Sequence, residues 1–129
     1  GYTYCPDVCP FDMVKISQIF TTYPELEKKI KPLFITVDPN RDTTKQLKIF
    51  IESFHSSFLG LTGTKEMIEK VIRAFRIYVK LNKKSDTDDD YLVDHSSLIF
   101  LLDENDKLVT FFRPDDLNGK LQKYLKKVI

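Results

Sequence analysis

A single α/β domain is what this sequence predicts, and three patterns carry that expectation. Two cysteines lie at the start of a helix-period segment near the beginning of the chain. Short apolar runs then alternate with segments whose apolar residues recur every three or four positions, as in βα units. A hairpin pattern and one last amphipathic segment close the chain. Its 129 residues suffice for a core without disulfide staples. No internal repeat or low-complexity stretch divides them, so residues 1–129 are expected to form one domain.

Each element has a local reason. Gly1 to Tyr4 reads as a strand end running into a turn. Pro6 and Pro10 then decide the backbone around the cysteines. A helix begun at Pro6 would hold Pro10 in its interior, where a hydrogen bond is lost. The spacing therefore predicts a helix from Pro10 to about Thr22, with Cys9 as N-cap or last loop residue and Cys5 in a tight loop. Its buried stripe is Met13, Ile16, Ile19, Phe20 and Tyr23. A charged connection, Pro24 to Lys31, leads to Leu33–Val37, a run of the kind buried on both faces of a parallel sheet.

Asp38-Pro39-Asn40 ends that run. Thr43 and Gln46 match a capping box ahead of Leu47, Phe50, Ile51 and Phe54. Phe58 to Gly63 reads as a short extended stretch and turn, and Thr64 caps a third helix carrying Ile68, Val71, Ile72 and Phe75. Ile77–Leu81 reads as a strand, and Asn82–Asp90 as a polar loop bearing Asp86, Asp88, Asp89 and Asp90. Leu98–Leu102 and Leu108–Phe112 form a hairpin about Asp103–Asp106, and a final helix runs from about Asp116 to Val128. A cysteine pair opening the first helix, then βα units, a hairpin and a closing helix, is the thioredoxin-like order. Order alone gives no function.

Hydrophobic residues make up 42% and charged residues 30%, a globular rather than disordered composition. Net charge is +1 with both signs interspersed, which argues against a nucleic-acid partner. Lys120, Lys123, Lys126 and Lys127 fall at spacings expected of the wet face of the last helix. No apolar run approaches the roughly 20 residues that span a bilayer. The chain opens at Gly1, inside the cysteine motif, so a piece of a longer protein is expected.

The thiolate is the reactive and metal-binding form of cysteine. Near a helix N-terminus, Cys9 sits where the backbone dipole favours that anion, and Cys5 shares part of the field. Their spacing allows either a disulfide or two jaws around one metal. Two thiolates with one imidazole would form a soft set suited to Cu(I), whereas structural zinc normally wants four protein ligands. The imidazole candidate is His95, beside Asp94 and just before an apolar strand. His55 is expected to be an exposed residue at the C-terminal end of the second helix, interacting with its dipole.

Four segments together resemble the SCO/SenC family: residues 1–10, GYTYCPDVCP; residues 34–43, FITVDPNRDT; Gly60-Leu61-Thr62-Gly63; and Tyr91-Leu92-Val93-Asp94-His95-Ser96. The resemblance covers essentially the whole chain. It implies a thioredoxin-like domain that binds copper through Cys5, Cys9 and His95. It also implies assistance in assembling the binuclear copper centre of cytochrome c oxidase. The implied partners are the oxidase subunit that bears this copper and other copper chaperones. The implied location is the mitochondrial inner membrane facing the intermembrane space, or the periplasmic face in bacteria, with a membrane anchor in the full-length protein. The resemblance would also put Asp38 near the site, but turn formation with Pro39 is the role expected of it. Family members also carry a central strand leading into Gly-Tyr. This chain is therefore expected to be truncated before that strand, and unstable when isolated, because strands flanking the gap would lose backbone partners.

The same cysteines support a second function, a thiol–disulfide oxidoreductase or redox sensor, which needs Cys5 and Cys9 but not His95 as a ligand. A third, peroxidase chemistry, would need one thiolate and a nearby arginine. Arg41 is the candidate, in a segment the family resemblance already explains. The acidic loop 86–90 is expected to be solvated rather than a docking site.

Overall fold

Cys9 does not cap the first helix: α1 spans Val8–Thr22, two residues ahead of the predicted start, and places Cys9 inside its first turn. The first N–H groups of a helix have no intrahelical partner, so a proline as the third residue, Pro10, breaks no bond. The computed structural model describes residues 1–4, 8–85 and 91–128, and of residues 8, 9, 118 and 128 the backbone alone. Along α1, Met13, Ile19 and Phe20 are buried, as the periodicity predicts. The charged connection contains a 3-10 turn, Pro24–Lys28, which tucks Leu26 into the core.

β1 (Leu33–Ile35) pairs in parallel with β2 (Leu59–Leu61), and α2 (Thr44–Glu52) crosses between them. Thr43 caps α2, its hydroxyl accepting from the Gln46 N–H at 3.2 Å. The capping box is not reciprocal, because the Gln46 amide instead donates to Thr3 Oγ1 at 3.2 Å. Met13, Phe34, Leu47 and Phe58 close the core between α1, β1 and α2. α3 (Lys65–Ala74) follows, capped by Thr64.

β3 (Val79–Asn82) pairs antiparallel with β4 (Leu92–His95), and β5 (Ile99–Leu102) with β6 (Leu108–Phe112). The last helix is interrupted. A 3-10 turn, Pro114–Asn118, ends at Gly119, and α4 spans Lys120–Val128. Gly119 has φ +130°, a conformation that other residues rarely adopt, so the helix predicted from Asp116 cannot run through it. Leu117, Leu121 and Leu125 nevertheless point inward, against Ile19, Phe20, Leu26 and Phe112.

The described strands form three two-stranded ladders, β1–β2, β3–β4 and β5–β6. Gly1 adds one parallel bridge on the side of β1 away from β2. Its nitrogen donates to the Ile35 carbonyl at 3.3 Å and its carbonyl accepts from the Val37 N–H at 2.8 Å. Gly1–Tyr4 thus enters alongside β1 and turns at Thr3, much as a strand end would.

Candidate metal centre

His95 ends β4 as well as lying ahead of β5, the apolar strand expected after it. Leu92, Val93, Asp94 and His95 alternate exposed, buried, exposed and half-buried, so Val93 and His95 share the inward face of β4. In register, His95 lies opposite Val79. The ring nitrogen Nδ1 is 2.9 Å from the Ser96 carbonyl, which can only accept, so Nδ1 carries the hydrogen. In the neutral ring the lone pair then sits on Nε2. Burial pushes the imidazole pKa below its usual 6.5, against the opposing pull of the Ser96 carbonyl and Asp94, and so favours that neutral form.

A second set of side chains lies beside it. Tyr2, Val37, Tyr91 and Val93 form a buried cluster, with Ile72 and Val79 packed on it. The Tyr2 ring meets His95 edge to face, 5.7 Å between centroids, and its hydroxyl accepts from the Val93 N–H at 3.1 Å. Asp38 is 2% exposed, and its carboxylate accepts from the Tyr91 hydroxyl at 2.5 Å and from Arg41 Nε at 2.6 Å. The Arg41 guanidinium lies 3.6 Å from the Tyr91 ring centre and 4.6 Å from that of Tyr4. Asp38 thus organises Arg41 and Tyr91, and its carbonyl also accepts the turn bond from the Asp42 N–H. Arg41, the residue considered for peroxidase chemistry, is engaged by Asp38 and stacked on tyrosines.

Asp42 was not singled out from the sequence, yet it is 0% exposed and central. Its carboxylate accepts from the Thr3 N–H at 3.0 Å, the Thr3 hydroxyl at 2.5 Å and the Thr36 hydroxyl at 2.6 Å. Residues 1–3 are therefore held at three successive points: Gly1 on β1, Tyr2 on β4 and Thr3 on Asp42. Cys5 follows two residues later, outside the described residues, as does the acidic stretch 86–90. Of Cys9 the backbone alone is described, in the first turn of α1. Among the described residues no group of three His, Cys, Asp or Glu side chains converges as a metal site.

His55 departs from its expected role. It is half-buried; Nδ1 accepts from the Ser57 N–H at 3.1 Å and Nε2 lies 3.1 Å from Glu27. The ring therefore ties the end of α2 to the 3-10 turn after α1. It does not project into solvent, because Phe20 packs 5.8 Å from it.

The sequence pattern of the SCO1/SenC family matches residues 1–129. The chain belongs to the SCO1/SenC family. It is 36% identical over 126 residues to a SCO2-like protein of Rickettsia felis, covering 98% of this chain and 62% of that protein. It is also 36% identical over 127 residues to the mitochondrial SCO1 homolog of Homo sapiens, covering 94% of this chain and 40% of that protein. This SCO1/SenC chain thus spans less than two thirds of the length of either relative. Among solved structures, Arabidopsis thaliana ScoI with copper bound superposes with a TM-score of 0.82 at 34% identity, covering 98% of this chain and 81% of that one. The fold is the thioredoxin-like one, as the order of elements predicted.

Proposed function

We propose that this chain is a copper metallochaperone that holds Cu(I) through Cys5, Cys9 and His95, working as one domain. The observation that carries the reading is the state of His95. Its Nδ1–H is committed to the Ser96 carbonyl, and burial favours the neutral ring. A metal-ligating histidine commonly has its other nitrogen fixed by such a bond. The donor set also fits the ion, since two thiolates and one imidazole suit three-coordinate Cu(I). Solved relatives with copper bound support copper as the ion.

The cargo would pass by ligand exchange to thiolates of a partner. By kinship with SCO1 and SCO2 proteins, that partner is the copper-bearing subunit of cytochrome c oxidase, alongside other copper chaperones. The address that follows is the mitochondrial inner membrane on its intermembrane-space side, or the periplasmic face in a bacterium. None of the described helices is long and apolar enough to cross a membrane.

Anaerobic Cu(I) titration tests the reading. One equivalent should bind, Cys5→Ala or Cys9→Ala should abolish binding, and His95→Ala should weaken it. Stoichiometric loading of the double cysteine variant would sink the proposal. A second reading, thiol–disulfide exchange, draws on the position of Cys9 in the first turn of α1, where a thiolate is favoured. That activity would survive His95→Ala, and a disulfide inert to dithiols would remove it.

A further inference from the structure

We propose that Tyr2 is a positioning residue for His95: its ring sets one side of the imidazole while its hydroxyl holds the strand that carries it. The inference rests on the copper reading above and adds a residue to it. Tyr2 is 2% exposed, and its hydroxyl joins the Val93 N–H across 91 positions of chain. That N–H belongs to the residue two before His95 on the same inward face of β4. The Val93 N–H, on the edge of β4 away from β3, thus ends on the Tyr2 side chain, and the hydroxyl holds that edge of β4 at Val93.

The ring acts on His95 itself. An edge-to-face contact at 86° bounds the imidazole on one side, while the Nδ1–H bond to Ser96 sets its rotation. Tyr2 is in turn immobilised on both flanks. Gly1 bridges to β1, Thr3 is clasped by Asp42, and the Arg41 guanidinium lies 5.8 Å from the Tyr2 ring centre. One side chain therefore ties the segment that leads into Cys5 to the strand that presents His95. Loss of a group that orients a ligand commonly lowers metal affinity by about 10–100-fold.

A double-mutant cycle in the full-length protein tests this, with Cu(I) affinity measured anaerobically by competition against a chromogenic Cu(I) chelator. Tyr2→Leu should weaken binding by about 10–100-fold when His95 is present, and produce no further loss in His95→Ala. Tyr2→Phe, which keeps the ring and drops the hydroxyl, should give a smaller loss with the same dependence on His95. If apo Tyr2→Leu does not melt cooperatively, Tyr2→Phe carries the cycle. No loss in the His95 background, or equal loss in both backgrounds, overturns the positioning role. Wild-type affinity in His95→Ala alone refutes the ligand assignment, and the proposal with it.

Discussion

Asp42→Ala should destabilise the protein far more than a loop substitution ordinarily does. The carboxylate is fully buried and accepts three hydrogen bonds, two from Thr3 and one from Thr36. Each such bond to a charged group contributes roughly 1.5–3 kcal/mol. Simple addition overstates the loss, because the bonds share one acceptor and the two hydroxyls can turn toward other partners. The Thr3 N–H has no such freedom. Leaving that N–H unsatisfied costs about 1–3 kcal/mol by itself, and with part of the two hydroxyl bonds added we expect Asp42→Ala to cost roughly 2–4 kcal/mol. Asp42→Asn should cost less, since its amide oxygen still accepts one bond and its volume is unchanged. Urea unfolding reads the difference as a lower midpoint at unchanged slope. Thr36→Val supplies the second arm of a cycle: the part of its effect due to the Asp42 bond should vanish once Asp42 is alanine, while the part due to the Asp38 N–H, which the same hydroxyl accepts at 2.9 Å, should remain. A loss within about 0.5 kcal/mol of zero, the range of an ordinary surface change, would refute the view that Asp42 anchors residues 1–3.

Alkali should unfold the protein through Tyr91. Burial first, then its bond to the Asp38 carboxylate and that charge, push its phenol from 10.0 to about 12, with Arg41 opposing. A group whose pKa is raised by folding stabilises fully below its unfolded value and ceases to do so above its folded one. Stability on the order of 3 kcal/mol should therefore be lost as pH climbs from 10.0 to about 12. Tyrosinate absorbance followed alongside unfolding checks this, and Tyr91→Phe should remove that part of the slope. Gly119→Ala should destabilise by about 1–3 kcal/mol although nothing lies within 4 Å of the added carbon. The cost arises from φ +130° alone, so a thermal melt equal to wild type would contradict it.

The parts of the fold legible in the sequence were those whose signal is local. Thr43 and Thr64 announce helix starts, and the stripes through Leu47 and Ile68 give the buried faces, as observed. β4 escaped because four alternating residues, Leu92 to His95, are too short a run to separate from a loop, and their partner β3 lies beyond a polar stretch. α1 starts two residues ahead of Pro10 because the whole first turn, and not N1 alone, tolerates proline. The break at Gly119 had a signal in Asn118-Gly119, overridden by the leucine spacing on either side. For the site, periodicity gave neither His95 nor its surroundings. His95 was a candidate from its place beside Asp94 ahead of an apolar strand, and the family resemblance made it a ligand, while the bond from Tyr91 to Asp38 spans 53 positions that no local pattern records.

Two buried carboxylates four residues apart would ordinarily repel and unfold the loop that holds them. Here their partners differ in kind. Asp38 meets a cation, Arg41, and a phenol, whereas Asp42 is solvated by two hydroxyls and one amide. A buried charge is tolerable when its bonding capacity is filled, and each solution here recruits residues distant in sequence. Asp42 recruits Thr3; Asp38 recruits Tyr91 directly and Tyr4 through the stacked guanidinium. A lysine in place of Arg41 would keep the charge but lose both the directed Nε–H bond to Asp38 and the planar stack. The desolvation of these acids therefore works as a constraint on shape: the loop after β1 avoids an uncompensated charge when the chain before Cys5 and the strand before His95 are both in place. Folding of the loop is thereby coupled to the seating of residues 1–3 and of Tyr91 against it.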